Sequence, residues 1–229
     1  MSTQLLLGVR MFVVGGESLI DLKAEVTLGD GRIIGRDGEG QIVMTAHPGG
    51  SPYNCAIALA KLGNQTGFLC PISADAFGDY LMGPLEEAGV TALLGERVKD
   101  YTTLAVVNFD DRHNARYGFY RAADGAIEAD SAIAALPQAL ELYQIGGFCP
   151  IVPSEAEAWL KVVDAAIDRG ATISIDPNVR PSLVDDFDGY KRRLQLFLER
   201  AHLVKLSEED IAALAPGASL DDYARQLLA

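Results

Sequence analysis

Gly49-Gly50-Ser51-Pro52-Tyr53-Asn54-Cys55-Ala56-Ile57-Ala58-Leu59-Ala60-Lys61-Leu62-Gly63, followed shortly by Phe68-Leu69-Cys70, is the stretch on which the fold turns. Ser51 stands where a hydroxyl can cap a helix, and Pro52 suits the first helical position, where its missing N–H is no loss. Ala56, Ile57, Ala60 and Lys61-Leu62 carry that helix, and Gly63 ends it. The short apolar run at Phe68-Leu69-Cys70 then reads as a buried strand. A helix leading straight into a buried strand is half of an α/β unit.

The same unit recurs on either side. Upstream, Met11-Phe12-Val13-Val14-Gly15-Gly16 reads as a buried strand ending in a glycine turn, with residues 1–10 as an extension and Met11 as an alternative start. Downstream, Asp75 caps a helix that runs through Ala88 and stops at Gly89, and Pro84 inside it is expected to kink or divide it. The alternation then becomes regular: helix Asp130–Ala139, strand Leu142–Ile145, helix Ser154–Arg169, strand Thr172–Ile175, helix Gly189–Arg200, strand Leu203–Lys205, helix Glu208–Leu214. Such a pattern predicts a parallel sheet covered on both faces.

Two stretches break the alternation. Glu25 to Thr45 is interrupted by Gly29-Asp30-Gly31, Gly35, Gly38 and Gly40, and Thr102–Asn108 faces Arg116–Arg121 across a turn near Asp110-Asp111. Both read as antiparallel hairpins. Paired into one small sheet over the strand ends, they would form a lid. The expected organisation is a single domain, 1–229, with lid segments about 24–45 and 101–126 inserted in the α/β core.

With 229 residues, 49% hydrophobic and 22% charged, the chain can bury a full core. Its formal net charge of -13, from 19 basic and 32 acidic residues, opposes long-range attraction to nucleic acid or an anionic membrane. A small anion is still allowed, because a few local cations override the global sign inside a cleft. Cys55, Cys70 and Cys149 form no CxxC pair and read as reduced core thiols, which points to a cytoplasmic protein. His47, His113 and His202 make no zinc spacing, and Leu5-Leu6-Leu7, closed by Arg10, is too short for a signal segment.

In an open α/β sheet, ligands bind beyond the carboxyl ends of the strands. Asp21, Gly49-Gly50 with Asn54, Asp176-Asn178-Arg180 and Ser207 to Asp210 all sort to such ends. Glycine lets backbone approach a ligand, Asn54 offers donors and an acceptor to a hydroxyl, and the forked Arg180 guanidinium matches phosphate. Each has a plainer alternative: a turn into a helix at Gly49-Gly50, a salt bridge from Arg180 to Asp185 or Asp186, a turn cap at Asp176, and a solvated arginine at Arg121. Neither GxGxxG nor a Walker motif follows a strand, which disfavours an unrelated nucleotide-binding domain.

In combination and in order, these residues resemble a known family. Gly49-Gly50, Asn54, Ala56, Gly63 and Asp75-x-Phe77-Gly78 look like the first signature of the PfkB/ribokinase family of carbohydrate kinases, and Met11 to Asp21 is similar to its opening strand with a substrate-binding aspartate. Phe119-Tyr120-Arg121-Ala122-Ala123-Asp124, Asp176-Pro177-Asn178-Val179-Arg180-Pro181 and Lys205-Leu206-Ser207-Glu208-Glu209-Asp210 resemble its fructokinase and ketodeoxygluconate-kinase branch. The resemblance implies a ribokinase-like three-layer α/β/α sandwich with a small β lid. It also implies ATP-dependent phosphorylation of a sugar hydroxyl, with ATP and Mg²⁺ as cofactors. Asp21, Gly49, Gly50 and Asn54 would hold sugar hydroxyls while Arg121 reaches from the lid. Asp176, Asn178, Arg180 and Ser207 would lie on the phosphate and nucleotide side, and Asp210 would hold a metal through water.

The pattern departs from the family in three places. Cys70 and Ser73 replace frequent glycines, and Ser207-x-x-Asp210 stands for an Asn-x-x-Glu motif. No Gly-Ala-Gly-Asp segment matches, so the catalytic base is expected beyond Ala229 and the sandwich to be C-terminally truncated, with negligible activity for this chain alone. The alternative reading is an inactive fragment or sugar-binding remnant of such a kinase. Uncovered edges in that state favour a homo-oligomer, a dimer above all. Fructose, a related keto sugar or a sugar acid are the expected acceptors, with a nucleoside as the other option within the family.

Overall fold

Val13 and Val14 are both fully buried, yet they point to opposite faces of strand β1 (Met11–Gly15), and so divide the core in two. The computed structural model describes residues 10–24, 44–109 and 115–228. After β1 come β2 (Leu19–Ala24), β3 (Met44–Gly49), α1 (Ser51–Lys61), β4 (Thr66–Leu69), α2 (Ala76–Ala88) and β5 (Thr91–Ala92). The hairpin β6 (Leu104–Phe109) and β7 (Ala115–Tyr120) leads to α3 (Ala129–Ala135), β8 (Leu140–Gly146), α4 (Pro153–Asp168) and β9 (Thr172–Asp176). The chain closes with α5 (Phe187–Leu198), β10 (Leu203–Val204), α6 (Glu208–Leu214) and α7 (Leu220–Leu228).

Six strands form a parallel sheet in the order β10-β9-β8-β1-β4-β5. On one face Val13, Tyr143, Ile145 and Ile173 pack against Trp159, Val162 and Val163 of α4. On the other, Val14 and Phe68 meet Tyr53 and Ala56 of α1 and Leu81 and Leu85 of α2. The result is the expected three-layer α/β/α sandwich. From β1 the chain runs outward through β4 and β5, then returns to build β8, β9 and β10 on the opposite side. That reversal opens a crevice at the carboxyl end of β1, the place where such sheets hold ligands.

A second sheet has the order β3-β2-β6-β7, with β2 parallel to β6 and the other pairs antiparallel. The strands on either side of the stretch 25–43 are thus joined to the hairpin β6-β7 through β2 and β6. Asp21 lies on β2 itself, opposite His47, and not in a turn. The strands expected within 25–43, the turn at Asp110-Asp111 and the leading residues 1–9 lie outside the described residues.

Helix ends show where local signals succeed. The Asp75 side chain accepts from Gly78 N at 2.8 Å to start α2, and Gly89 ends it in the left-handed region at φ 76. Between them α2 stays one helix through Pro84 and is not divided. Helix α3 is shorter than expected and stops at Ala135, since Leu136 turns extended ahead of Pro137. Helix α7 was not anticipated, although Asp222 N donating to Ser219 Oγ at 3.1 Å is the Ser-x-x-Asp start signal. Among the described residues no helix is long and apolar enough to cross a membrane.

Candidate functional site

The crevice at the end of β1 is organised by Glu17, a residue that the sequence reading passed over. It is 4% exposed, and its carboxylate accepts from Ser51 N and from Phe148 N, both at 3.0 Å. It thus joins the turn after β1, the start of α1 and the loop after β8. Burial pushes its pKa up to about 7, against the opposing pull of those backbone donors. Gly147, at φ 63, leaves room for it: a Cβ there would lie 2.0 Å from Glu17 Oε2. The expected Ser51 cap is corrected at the same point. Gly50 occupies the cap position at φ 112 with no side-chain cap, and the Ser51 amide is taken by Glu17.

Asp21, Gly49, Gly50 and Asn54 share the corner where β3 turns into α1. Any Cβ on Gly49 would lie 2.6 Å from Asp21 Oδ2, so glycine there makes space for the carboxylate. A Cβ on Gly50 would lie 2.7 Å from Glu17 O, which fixes that position as glycine too. Burial raises the Asp21 carboxyl pKa, while Lys23 and His47 oppose the shift. Asn54 stands exposed in the first turn of α1, its amide bonded to Gly50 O at 3.0 Å. Its side chain is open to a ligand.

Arg121, just past β7, turns inward. Its Nε and Nη2 donate to Asp124 Oδ2 at 3.1 and 2.5 Å, Nη2 also reaches Glu155 Oε2 at 2.7 Å, and the guanidinium lies 5.0 Å from the Phe148 ring centroid. Glu155 sits in the first turn of α4, so this cluster ties the end of the second sheet to the rim of the first. Asp124 is buried and also accepts from Thr103 Oγ1, which in turn accepts from Ala122 N at 3.0 Å. A solvated arginine is not what the fold makes of this residue.

Asp176 ends β9, and the two halves of the rim touch there. Gly147 N donates to Asp176 O at 3.1 Å, and a Cβ on Gly146 would lie 1.7 Å from that oxygen. Cys55, next to Asn54, has its thiol pKa raised by burial first and by Asp176 second, which places the start of α1 within electrostatic reach of that carboxylate. Asp176 Oδ1 accepts from Asn178 N at 3.2 Å and Oδ2 pairs with Lys205 Nζ at 3.0 Å. Asn178 adopts φ 42, a left-handed value that asparagine tolerates better than most residues. Arg180 donates to Val179 O at 3.0 Å and, among the described residues, forms no ion pair with Asp185 or Asp186.

Ser207 and Asp210 form a capping box at the start of α6. Asp210 N donates to Ser207 Oγ at 3.1 Å, while Asp210 Oδ2 accepts from Ser207 N at 2.8 Å and from Ser207 Oγ at 2.7 Å. The other oxygen, Oδ1, accepts from Val179 N at 2.7 Å, and the residue is 2% exposed. Both oxygens are committed to the fold. Asp210 thus fastens α6 to the 176–181 loop. Among the described residues no group of three or more His, Cys, Asp or Glu side chains is arranged to hold a metal.

Residues 11–229 match the family model described as pfkB family carbohydrate kinase. A probable fructokinase-4 of Arabidopsis thaliana is 29% identical over 178 residues, 76% of this chain and 55% of that protein. The crystal structure of a fructokinase from Xylella fastidiosa superposes with a TM-score of 0.81 at 28% identity, covering 96% of this chain and 69% of its own. The same enzyme with bound ATP gives a TM-score of 0.79 at 27% identity, covering 96% and 68%. The chain spans about half the length of the curated relatives it matches.

Proposed function

Because the chain belongs to the pfkB family of carbohydrate kinases, we propose that its rim serves ATP-dependent phosphorylation of a hydroxyl on a fructose-like sugar. The observation that carries this reading is the half-buried Asp21 carboxylate standing over the space cleared by Gly49, beside the ligand crevice of the sheet. A carboxylate accepts hydrogen bonds from two adjacent hydroxyls at once, which suits a polyol. Asn54 adds a donor and an acceptor from α1. The second sheet, β3-β2-β6-β7, is the cover that excludes water from the reacting hydroxyl.

On the other side of the rim, Arg180 and Asn178 face the phosphate end, with Ser207 and Asp210 holding their loop in place. ATP, which the Xylella relative binds, supplies the phosphoryl group when present. The residues described here hold and orient the reactants, and none of them is given the role of base. Mg²⁺ is not assigned to this chain's side chains, and no step is drawn through it.

Isothermal titration of the chain with fructose, ribose and adenosine, each with and without ATP, tests the reading. Fructose should bind best, and Asp21→Ala should weaken it about twentyfold. A chain that binds adenosine in preference to fructose, or fructose equally well without Asp21, would overturn it.

A further inference from the structure

Among the described residues at the sugar end of the rim, Arg121 is already neutralised. Arg121, Asp124 and Glu155 keep side-chain exposures of 16%, 1% and 15%, so their mutual contacts are shielded from solvent. One guanidinium against two carboxylates leaves this cluster with one net negative charge. Asp21 on β2 adds another acid, moderated by Lys23 and by the exposed His47. At the other end, among the described residues, Lys205 is paired with Asp176, Arg180 bonds its own loop carbonyls, and Arg193 bonds the carbonyls of Pro150 and Ile151.

A carboxylate-bearing acceptor that reaches Arg121 would meet a guanidinium already shared by two carboxylates. At partly buried separations of several ångströms, one unscreened charge changes affinity by about tenfold or more. The arrangement is also built around Glu155: a Cβ on Gly125 would lie 2.6 Å from Glu155 Oε1, so glycine at that position preserves the seat of the carboxylate. Asp124, by contrast, is buried and also accepts from Thr103, which makes it part of the fold's framework. Glu155 is the member of the cluster whose charge a Glu155→Gln change removes while keeping a hydrogen-bond acceptor for Arg121.

We propose that Glu155, acting through Arg121, makes the site select uncharged sugars over sugar acids. The inference rests on the sugar-site reading given above and deepens it by naming the excluded class. Calorimetric titration of the whole chain with fructose and with the anion of 2-keto-3-deoxygluconate is the test. The unaltered chain should favour fructose by about tenfold or more, and Glu155→Gln, which keeps the shape and loses the charge, should shift the ratio about tenfold toward the acid. Raising the salt concentration on the unaltered chain should narrow the ratio in the same direction, a measurement that needs no variant. Equal or better binding of the acid by the unaltered chain, or a ratio that neither Glu155→Gln nor salt moves, would overturn the inference. Binding of neither ligand by the unaltered chain would overturn the sugar-site reading itself and this inference with it.

Discussion

At the corner between β2 and α1 the half-buried Asp21 carboxylate stands over Gly49 with only Lys23 and His47 to moderate it, whereas at the corner between β9 and α6 the two acids of the site, Asp176 and Asp210, are committed to the fold. Asp176 is paired with Lys205 and bonded to Asn178 N, and Asp210 is bonded to Val179 N and Ser207. Arg180 is left there without a carboxylate partner among the described residues. The difference teaches that charge along a rim is set less by which residues are present than by which of them are already satisfied. An acid with free lone pairs suits neutral hydroxyls, and a cation with no acid beside it suits phosphate.

The largest expected effect breaks the comparison at its second corner. Asp210→Ala orphans Val179 N and Ser207 N and removes half of the capping box, so it should lower unfolding free energy by about 3 kcal/mol, read from urea denaturation. A loss below about 1 kcal/mol would mean that Asp210 is not the fastening described here.

Acid titration sharpens the first corner. Glu17 keeps its proton in the folded chain up to about 7, while the unfolded chain loses it near 4.5. Its contribution to stability is therefore complete below the lower value and is lost as pH rises through the higher one, a fall of about 3 kcal/mol. Glu17→Gln should flatten that fall when urea midpoints are compared at acidic and mildly alkaline pH. Parallel curves for both proteins would remove Glu17 as the titrating group.

Two binding experiments separate the corners directly. Asp21→Ala should weaken fructose about twentyfold, the cost of losing hydrogen bonds to a charged acceptor, and leave ATP nearly unchanged. Arg180→Ala should do the reverse, weakening ATP about tenfold by loss of charge-assisted donors. Equal effects of either change on both ligands would merge the two corners into one.

Much of the fold was legible because its signals are local. Asp75 and Gly89 bound α2 as read, and the apolar runs at Val13-Val14, Phe68-Leu69 and Ile173-Ser174-Ile175 are strands of one parallel sheet. What escaped was long-range. The Ser51 hydroxyl looked like a cap, but Glu17 holds that end of α1 from 34 residues away, and no local pattern announces such a bond. Arg121 looked solvated because its partner Glu155 also lies 34 residues off, on another element. The candidate site residues were found through their family pattern, while the buried acid beneath them carried no motif: it is one glutamate between a glycine turn and a strand.

The bond from Phe148 N to Glu17 has a kinetic consequence. It spans 131 residues, a loop whose closure entropy must be met before the contact forms. Long-range contacts of this kind form slowly, and during synthesis the turn after β1 stays without its second amide partner until Phe148 has left the ribosome. The pocket's floor is thus a late product of chain closure, and a sugar that binds it would draw the last folding step forward by mass action.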